Sequence, residues 1–142
     1  MRIVLDTAAL ISSIRSNTGA AAEIVRLAIL KRFEVLMDYK LACEYRQVAM
    51  RPDHIATSGR KAEDIEDFIV TLESIAIPVF VATRHRPLSQ DVNDDMVLDV
   101  AINGHAEIVV TNNVKDFALA AGKFGIKVLT PGQFLMKIRK GG

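Results

Sequence analysis

The residues of this chain with the clearest capacity for chemistry are acidic side chains that recur close to the ends of short apolar runs. Asp6 follows Ile-Val-Leu directly, Glu44 lies a few residues beyond the second run, and Asp116 follows the fourth. Asp95, with Asp99 four residues on, lies in an acidic stretch ahead of the fourth run. Carboxylates that lie close together repel each other unless a cation separates them. Oxygen ligands without cysteine or histidine select Mg²⁺ or Mn²⁺, and such ions on a phosphodiester activate water for hydrolysis.

The elements that must position these residues alternate along the chain. Short apolar runs predict strands at 2–5, 33–37, 78–82, 107–110 and 126–129, and helical periodicity predicts helices at 8–15, 20–31, 41–50, 61–74, 94–104 and from Pro131 onwards. This alternation predicts an α/β fold with a parallel sheet. In such a sheet, ligands bind beyond the carboxyl ends of the strands, where the strand order reverses. If the first and fourth strands are neighbours, the acidic residues converge at that edge.

Composition and charge indicate a single globular domain, residues 1–142. Half of the chain is hydrophobic and a quarter is charged. Cys43 is the only cysteine, so no internal disulfide is possible and a reducing compartment fits. Asp6 interrupts what would be the core of a secretory signal, and no apolar run approaches the ~20 residues of a membrane span. We therefore expect a cytoplasmic protein without a membrane contact, whose net charge of +1 neither favours nor excludes nucleic acid.

Four short motifs, spread in order over nearly the whole chain, carry a family resemblance. They are Ile3-Val4-Leu5-Asp6-Thr7, Leu41-Ala42-Cys43-Glu44-Tyr45, the stretch from Asn93 to Ala101, and the stretch from Val109 to Phe117. Together they resemble the PIN-domain family and, within it, the VapC-type toxins of type II toxin–antitoxin systems. Each motif by itself is weak, and the four in register make the resemblance specific.

The resemblance implies a three-layer α/β/α sandwich around the predicted five-stranded, mainly parallel sheet. It also implies a metal-dependent endoribonuclease that cleaves RNA with Mg²⁺ or Mn²⁺, acts as the toxin of a toxin–antitoxin pair, forms a homodimer and is inhibited by a cognate antitoxin. The helices at 20–31 and 61–74 are the candidate faces of the homodimer. The basic tail at 137–142 is expected to fray.

Carried over by position, the resemblance also assigns the site. The catalytic and metal-binding acids would be Asp6, Glu44, Asp95 and Asp116, supported by Thr7, Thr111, Asn113 and Asp99. Ala8 is a departure, because the family usually has an asparagine there whose amide would support the acidic site. The basic residues Arg84, Arg86 and Lys115 are candidates for contacts with the phosphates of the substrate, since Arg84-His85-Arg86 is the strongest local basic cluster.

Each acidic residue also has a structural interpretation. Asp6 is a possible N-cap, Glu44 a solvated helix residue, Asp94 or Asp95 a partner of the helix dipole, Asp99 a surface residue and Asp116 a cap of the turn that Phe117 buries. For Asp6 the position at the end of an apolar strand favours the ligand role. For Asp95 the family's apolar spacing favours it over Asp94, and for Asp116 the two interpretations stay open.

Two other functions compete with the nuclease hypothesis. Ala8 motivates a catalytically weakened PIN-like module that acts through protein or nucleic-acid binding. A phosphoryl-transfer domain of another kind is disfavoured, because a haloacid-dehalogenase-like phosphatase needs an aspartate where Ala8 stands. A receiver domain needs an aspartate at the end of the third strand, and residues 79–82 supply none.

Overall fold

The computed structural model describes residues 1–83 and 92–141, with the side chains of 92 and 93 left aside. The predicted phosphate contacts of Arg84 and Arg86 therefore lie outside the described residues. Within the described ranges, no helix combines the length and the apolar character that a bilayer crossing requires.

Five short parallel strands form one sheet in the order β3-β2-β1-β4-β5. The strands are β1 (Arg2–Leu5), β2 (Glu34–Met37), β3 (Ile77–Pro78), β4 (Ile108–Val110) and β5 (Lys127–Leu129). β1 lies at the centre, with Ile3 opposite Val35 of β2 on one side and opposite Ile108 of β4 on the other. The chain runs outwards from β1 through β2 and β3, and then crosses to the far side of β1 to form β4 and β5. The first and fourth strands are therefore neighbours, and the strand order reverses between them.

Helices surround this sheet and complete the three-layer α/β/α fold that we expected. Those in the described residues are α1 (Thr7–Arg15), α2 (Ala20–Ile29), α3 (Tyr39–Ala49), α4 (Pro52–Ser58), α5 (Ala62–Ile75), α6 (Val92–Asn103), α7 (Val114–Gly122) and α8 (Pro131–Arg139). β1 and β4 are buried along most of their length because α6 packs against both. Since α1 begins directly after β1 and α3 directly after β2, both helices start at the carboxyl edge of the sheet.

Helices α4 and α7 and the length of β3 differ from the sequence prediction. Pro52 ends α3 as expected, but proline also fits the first turn of a helix, and α4 begins there. α7 forms because Phe117, Ala120 and Ala121 bury one face of it. The third strand is shorter than the predicted 78–82, because its partner β2 ends at Met37.

The core extends into α8, and the prediction that residues 137–142 fray is wrong up to Arg139. Phe134 is fully buried and meets Phe33 edge-to-face, with ring centroids 4.9 Å apart. Ile138, one turn further, is also fully buried, and Arg139 pairs with Glu23 of α2. The tail is ordered because its apolar residues recur at helical spacing and pack on the core, whereas composition showed only its basic charge.

Gly104, directly after α6, lies too close to its neighbours to carry a side chain. A Cβ there would lie 2.7 Å from Cδ1 of Leu36 and 2.9 Å from the carbonyl oxygen of Val100. We expect Gly104→Ala to lower the free energy of unfolding by about 1–3 kcal/mol in urea denaturation, because the core would have to shift. The matched control is Gly122→Ala, whose Cβ would meet no atom within 4 Å. Equal stability of the two variants would contradict the steric explanation.

Candidate active site

An open cavity of about 620 Å³ lies at the carboxyl edge of the sheet, where the strand order reverses. Its lining residues are Asp6, Thr7, Ala8, Ile11, Ser12, Arg15, Ser16, Glu44, Val48, Arg51, Asp94 and Asn113. They come from the end of β1, from α1, α3 and α6, and from the segment after β4. The cavity therefore brings together two of the four predicted acids, Asp6 and Glu44, together with Thr7 and Asn113.

Asp6 is the buried acid of this cavity, with 7% of its surface exposed. Its backbone N–H donates to the carbonyl of Val110 in β4, and its own carbonyl accepts from Leu10 in α1. It occupies the N-cap position of α1, but its side chain makes no capping hydrogen bond. Instead, Oδ2 accepts a hydrogen bond of 2.8 Å from the hydroxyl of Thr111, which itself accepts from the backbone N–H of Asn113. The hydrogen bond that orients this carboxylate therefore comes from the end of β4 and not from the first turn of α1.

Burial raises the pKa of Asp6 above its ordinary value. The Thr111 hydroxyl and the backbone amides of Thr7 and Ala8 oppose this rise, and the negative charge of Glu44 adds to it. Ionisation of Asp6 therefore lowers the stability of the folded protein. A cation bound beside the two carboxylates would offset that loss.

Glu44, half-buried on α3, is held beside Asp6 by contacts on two sides. The hydroxyl of Thr7 donates to Oε2 of Glu44 at 3.0 Å. The next residue, Tyr45, is fully buried and donates from its hydroxyl to the carbonyl of Leu5, the last residue of β1. Burial and the nearby charges of Asp6 and Glu44 hold the pKa of Tyr45 well above its ordinary value, so this hydroxyl stays a donor. The Thr7 contact thereby ties α3 to α1, and the Tyr45 contact ties α3 to β1.

The acids of α6 divide between the cavity and the interior. Asp94, half-buried, lines the cavity, although sequence reasoning favoured Asp95 as the third acid. Asp95 is 4% exposed and Asp99 is 1% exposed, and neither is among the lining residues. The surface role weighed for Asp99 is therefore wrong, while the ligand role of Asp95 stays a prediction. Both buried carboxylates lie on the helix that packs against β1 and β4.

The segment after β4 places Asn113, and not Asp116, at the cavity. Asp116 and Lys115 are exposed in the first turn of α7, and neither lines the cavity. The backbone N–H of Asp116 bonds to the carbonyl of Asn113, which closes the turn into α7. A metal-binding role of Asp116 and a phosphate contact of Lys115 stay predictions. In this segment, Thr111 donates to Asp6 and Asn113 lines the cavity.

The donor groups around the cavity are those that a hydrated Mg²⁺ or Mn²⁺ uses. Within residues 1–83 and 92–141, no three Asp, Glu, His or Cys side chains are arranged as a complete metal-binding cluster. Mg²⁺, however, usually keeps several waters and takes one or two carboxylates together with phosphates of the substrate. Asp6 and Glu44 supply that pair of carboxylates, and Asp94 and Asn113, whose side chains also carry oxygens, line the same cavity. The residues present therefore fit such an ion.

Of the two arginines that line the cavity, Arg15 was not predicted from the sequence, and Arg51, although a possible phosphate contact, was not assigned to the site. Arg15 belongs to a stripe at positions 8, 11, 12 and 15 of α1, spaced by three and four residues, and the whole stripe lines the cavity. Arg51 follows α3, seven residues after Glu44. The available signal in the sequence was the spacing of each arginine from an acid along α1 or α3. This signal did not single out the two residues, because exposed arginines are common on any protein surface.

The burial of Asp6 predicts a gain in stability when its charge is removed. We expect Asp6→Asn to raise the free energy of unfolding of the metal-free protein by roughly 0.5–2 kcal/mol at neutral pH. The amide keeps an oxygen that accepts from Thr111 and carries no charge to desolvate or to repel Glu44. Urea denaturation in the presence of EDTA, at several pH values, measures the difference.

The sign of the pH dependence follows from the raised pKa of Asp6. The wild type loses stability as the pH rises from the unfolded value of 3.8 through the raised pKa, and the loss is constant above it. The advantage of Asp6→Asn should therefore vanish in acid and appear as the pH rises. Asp67→Asn, at an exposed position of α5, is the control and should stay within about 0.5 kcal/mol of the wild type. An Asp6→Asn variant less stable than the wild type at neutral pH would contradict the expectation.

A known protein family matches most of the chain. The PIN domain family model matches residues 2–115 of the chain. The matched span contains β1 to β4 and every residue that lines the cavity, and it ends before β5 and α8. No curated protein matches the chain.

Proposed function

The chain belongs to the PIN domain family, whose fold is a nuclease fold, and we propose that it is a metal-dependent endoribonuclease that serves as the toxin of a toxin–antitoxin pair. The observation that carries the proposal is the position of Asp6. Its carboxylate is buried at the point where the strand order reverses, next to Glu44, and it is oriented by Thr111 instead of capping α1. A carboxylate in a cleft whose pKa is shifted by burial and by a neighbouring carboxylate is a candidate for a functional site.

In the proposed reaction, the residues of the chain hold the two acids in position before the substrate binds. Thr111 orients the carboxylate of Asp6, and Thr7 orients that of Glu44, so neither acid has to reorganise when the substrate arrives. Asn113, whose side chain carries an amide, lines the same cavity. A divalent cation bound to these acids would supply the charge that activates water and stabilises the leaving oxygen of the phosphodiester. Water attack and loss of the leaving oxygen would then cleave the RNA strand.

The partners of the chain belong to the same proposal. A shallow groove of about 390 Å³ between α2 and α5, the two helices proposed as dimer faces, is lined by Val25, Ile29, Leu30 and Phe68. Ile29 and Leu30 are more than half exposed, which is unusual for large apolar side chains that lie side by side. This apolar surface supports a homodimer or a cognate antitoxin as occupant. A cytoplasmic location, where RNA and such an antitoxin would be met, completes the proposal.

Cleavage of a fluorescent single-stranded RNA tests the proposal directly. We expect products with millimolar Mg²⁺ or Mn²⁺, no products with EDTA, and no products from Glu44→Gln prepared in the same way. Titration with Mn²⁺, followed by its paramagnetic resonance, separates binding from chemistry. A wild-type protein that binds no Mn²⁺ at millimolar concentration and cuts no RNA would overturn the proposed enzyme.

A second candidate function rests on Ala8, which is exposed on the cavity wall beside Asp6. A methyl group stands there in place of the amide that the family resemblance leads one to expect. The chain would then be a catalytically weakened module that binds protein or nucleic acid. We expect Ala8→Asn to raise the cleavage rate by roughly 10-fold, as restored support of a ligand would. An inactive wild type with an active Ala8→Asn variant would favour this second candidate, whereas an unchanged rate would remove Ala8 as its basis.

A further inference from the structure

The cavity that holds the two acids continues as a groove between α1 and α3, and its character changes along its length. Asp6 and Glu44 lie at the end next to the sheet, Ile11 and Val48 follow one turn on, and Arg15 and Arg51 close the far end. Both helices start at the carboxyl edge of the sheet and pack against each other. With a rise of 1.5 Å per residue, the eight residues from Thr7 to Arg15 cover about 12 Å. The groove is thus acidic at one end, apolar in the middle and basic at the other end.

The fold does not use these two arginines as it uses Arg46 and Arg139. Arg46 pairs with two glutamates of α5, and Arg139 pairs with Glu23. In the part of the chain that the structure describes, the guanidinium groups of Arg15 and Arg51 make no ion pair and no hydrogen bond, and both residues are exposed. They are therefore available to an anion that enters the groove.

Arg15 is in addition held in place by another arginine. Arg60, in the turn between α4 and α5, donates from Nε to the carbonyl of Ile14 at 3.0 Å and from Nη2 to the carbonyl of Ser16 at 2.9 Å. These carbonyls belong to the residues on either side of Arg15, at the point where α1 ends. These two hydrogen bonds fix the backbone that carries Arg15, and they bring the positive charge of Arg60 close to it. A phosphate bound there would meet the Arg15 side chain on a backbone that is already fixed.

We propose that Arg15 and Arg51 form a phosphate-binding subsite for single-stranded RNA, a few nucleotides away from the phosphate that is cut. A nucleic-acid strand alternates anionic phosphates with less polar sugars and bases, which matches a groove with an apolar stretch between its cation-binding and anion-binding ends. A cavity of about 620 Å³ has the volume of a small-ligand pocket, so it can hold a short stretch of a single strand. The inference rests on the proposed function, because it takes Asp6 and Glu44 as the place of cleavage.

Binding of a fluorescein-labelled oligouridylate, measured by anisotropy in EDTA with Asp6→Asn as the parent, tests the subsite without any cleavage. We expect Arg15→Gln and Arg51→Gln each to raise Kd by roughly 3- to 10-fold and to lower the slope of log Kd against log salt by about 1. Arg26→Gln, which removes the same charge from an exposed position of α2, should change Kd less than about 2-fold. Thermal unfolding of the variants checks that the fold is kept.

The dependence of affinity on oligonucleotide length distinguishes a phosphate subsite from a general loss of positive charge. In the parent, affinity should rise with oligonucleotide length until the strand reaches the arginines, and the Arg15→Gln, Arg51→Gln double variant should lose that rise. A duplex of the same length should compete poorly for the parent. If the two arginine variants bind like Arg26→Gln, or if the length dependence survives in the double variant, the subsite is wrong. Because this assay reads binding alone, RNA binding through the arginines by a protein that cuts nothing would overturn the proposed function and not the subsite.

Discussion

Asp6→Asn is expected to lower the rate of RNA cleavage by roughly 10²–10³-fold, the size of effect that loss of one preorganised charged or polar group has in an active site. The asparagine keeps the shape of the side chain and the acceptor for the Thr111 hydroxyl. What it loses is the negative charge that binds a divalent cation next to Glu44. The measurement is the initial rate on a labelled single strand at saturating Mg²⁺, together with the Mn²⁺ affinity of each protein.

The controls for this prediction distinguish the charge of Asp6 from the overall charge of the protein and from the hydrogen bond that orients the carboxylate. Asp67→Asn removes a negative charge from an exposed position of α5 and should leave the rate unchanged. Thr111→Val keeps the acid and removes the hydroxyl that orients it, so an intermediate loss of about 10- to 100-fold is expected. A rate for Asp6→Asn within a few-fold of the wild type would show that the cavity is not the place of cleavage.

Phe134→Ala is expected to lower the free energy of unfolding by about 3–5 kcal/mol, the usual cost of removing a buried phenyl ring. Phe134 is 0% exposed and meets Phe33, the residue before β2, so the loss combines buried apolar area with an edge-to-face ring contact. A cost of this size is a large part of the total stability of a small domain. Urea denaturation followed by circular dichroism measures it.

Met136→Ala is the matched control, because Met136 lies on the opposite face of the same helix and is 56% exposed. It should change the free energy of unfolding by no more than about 0.5 kcal/mol. Equal and small effects of the two substitutions would mean that α8 contributes little to the core. The outcome matters for the extent of the domain, since the family match ends at residue 115 and Phe134 lies beyond it.

The parallel sheet was predictable because its strands are short, apolar and β-branched. Ile3 and Val4 in β1, like Val109 and Val110 in β4, are buried on both faces, as in a central strand. The pattern could not show that β1 and β4 are neighbours, because pairing between strands a hundred residues apart leaves no local signal. It also missed α7, since alanine-rich segments become helical through the burial of a few residues such as Phe117.

The site was predictable where a side chain follows directly from a strand, and less so on the helices. Asp6 is fixed by the end of β1, so its place at the edge of the sheet follows from its position alone. On α6, Val97, Leu98, Val100 and Ala101 are all buried, so the apolar pattern covers most of the circumference and does not define one face. The choice between two consecutive acids there is a rotation of about 100°, which only the packing of the helix decides.

The central position of β1 also determines when the candidate site can form during synthesis of the chain. The carboxylate of Asp6 is oriented by Thr111, 105 residues later, and β1 has a neighbour on only one side until β4 has joined the sheet. Contacts between such distant segments form late, because the chain has to close a long loop before they form. A chain still emerging from the ribosome therefore has an unoriented acid for most of its synthesis. If the protein cuts RNA, it becomes able to do so only after it has folded past β4, and not while it is still short and close to the RNA that encodes it.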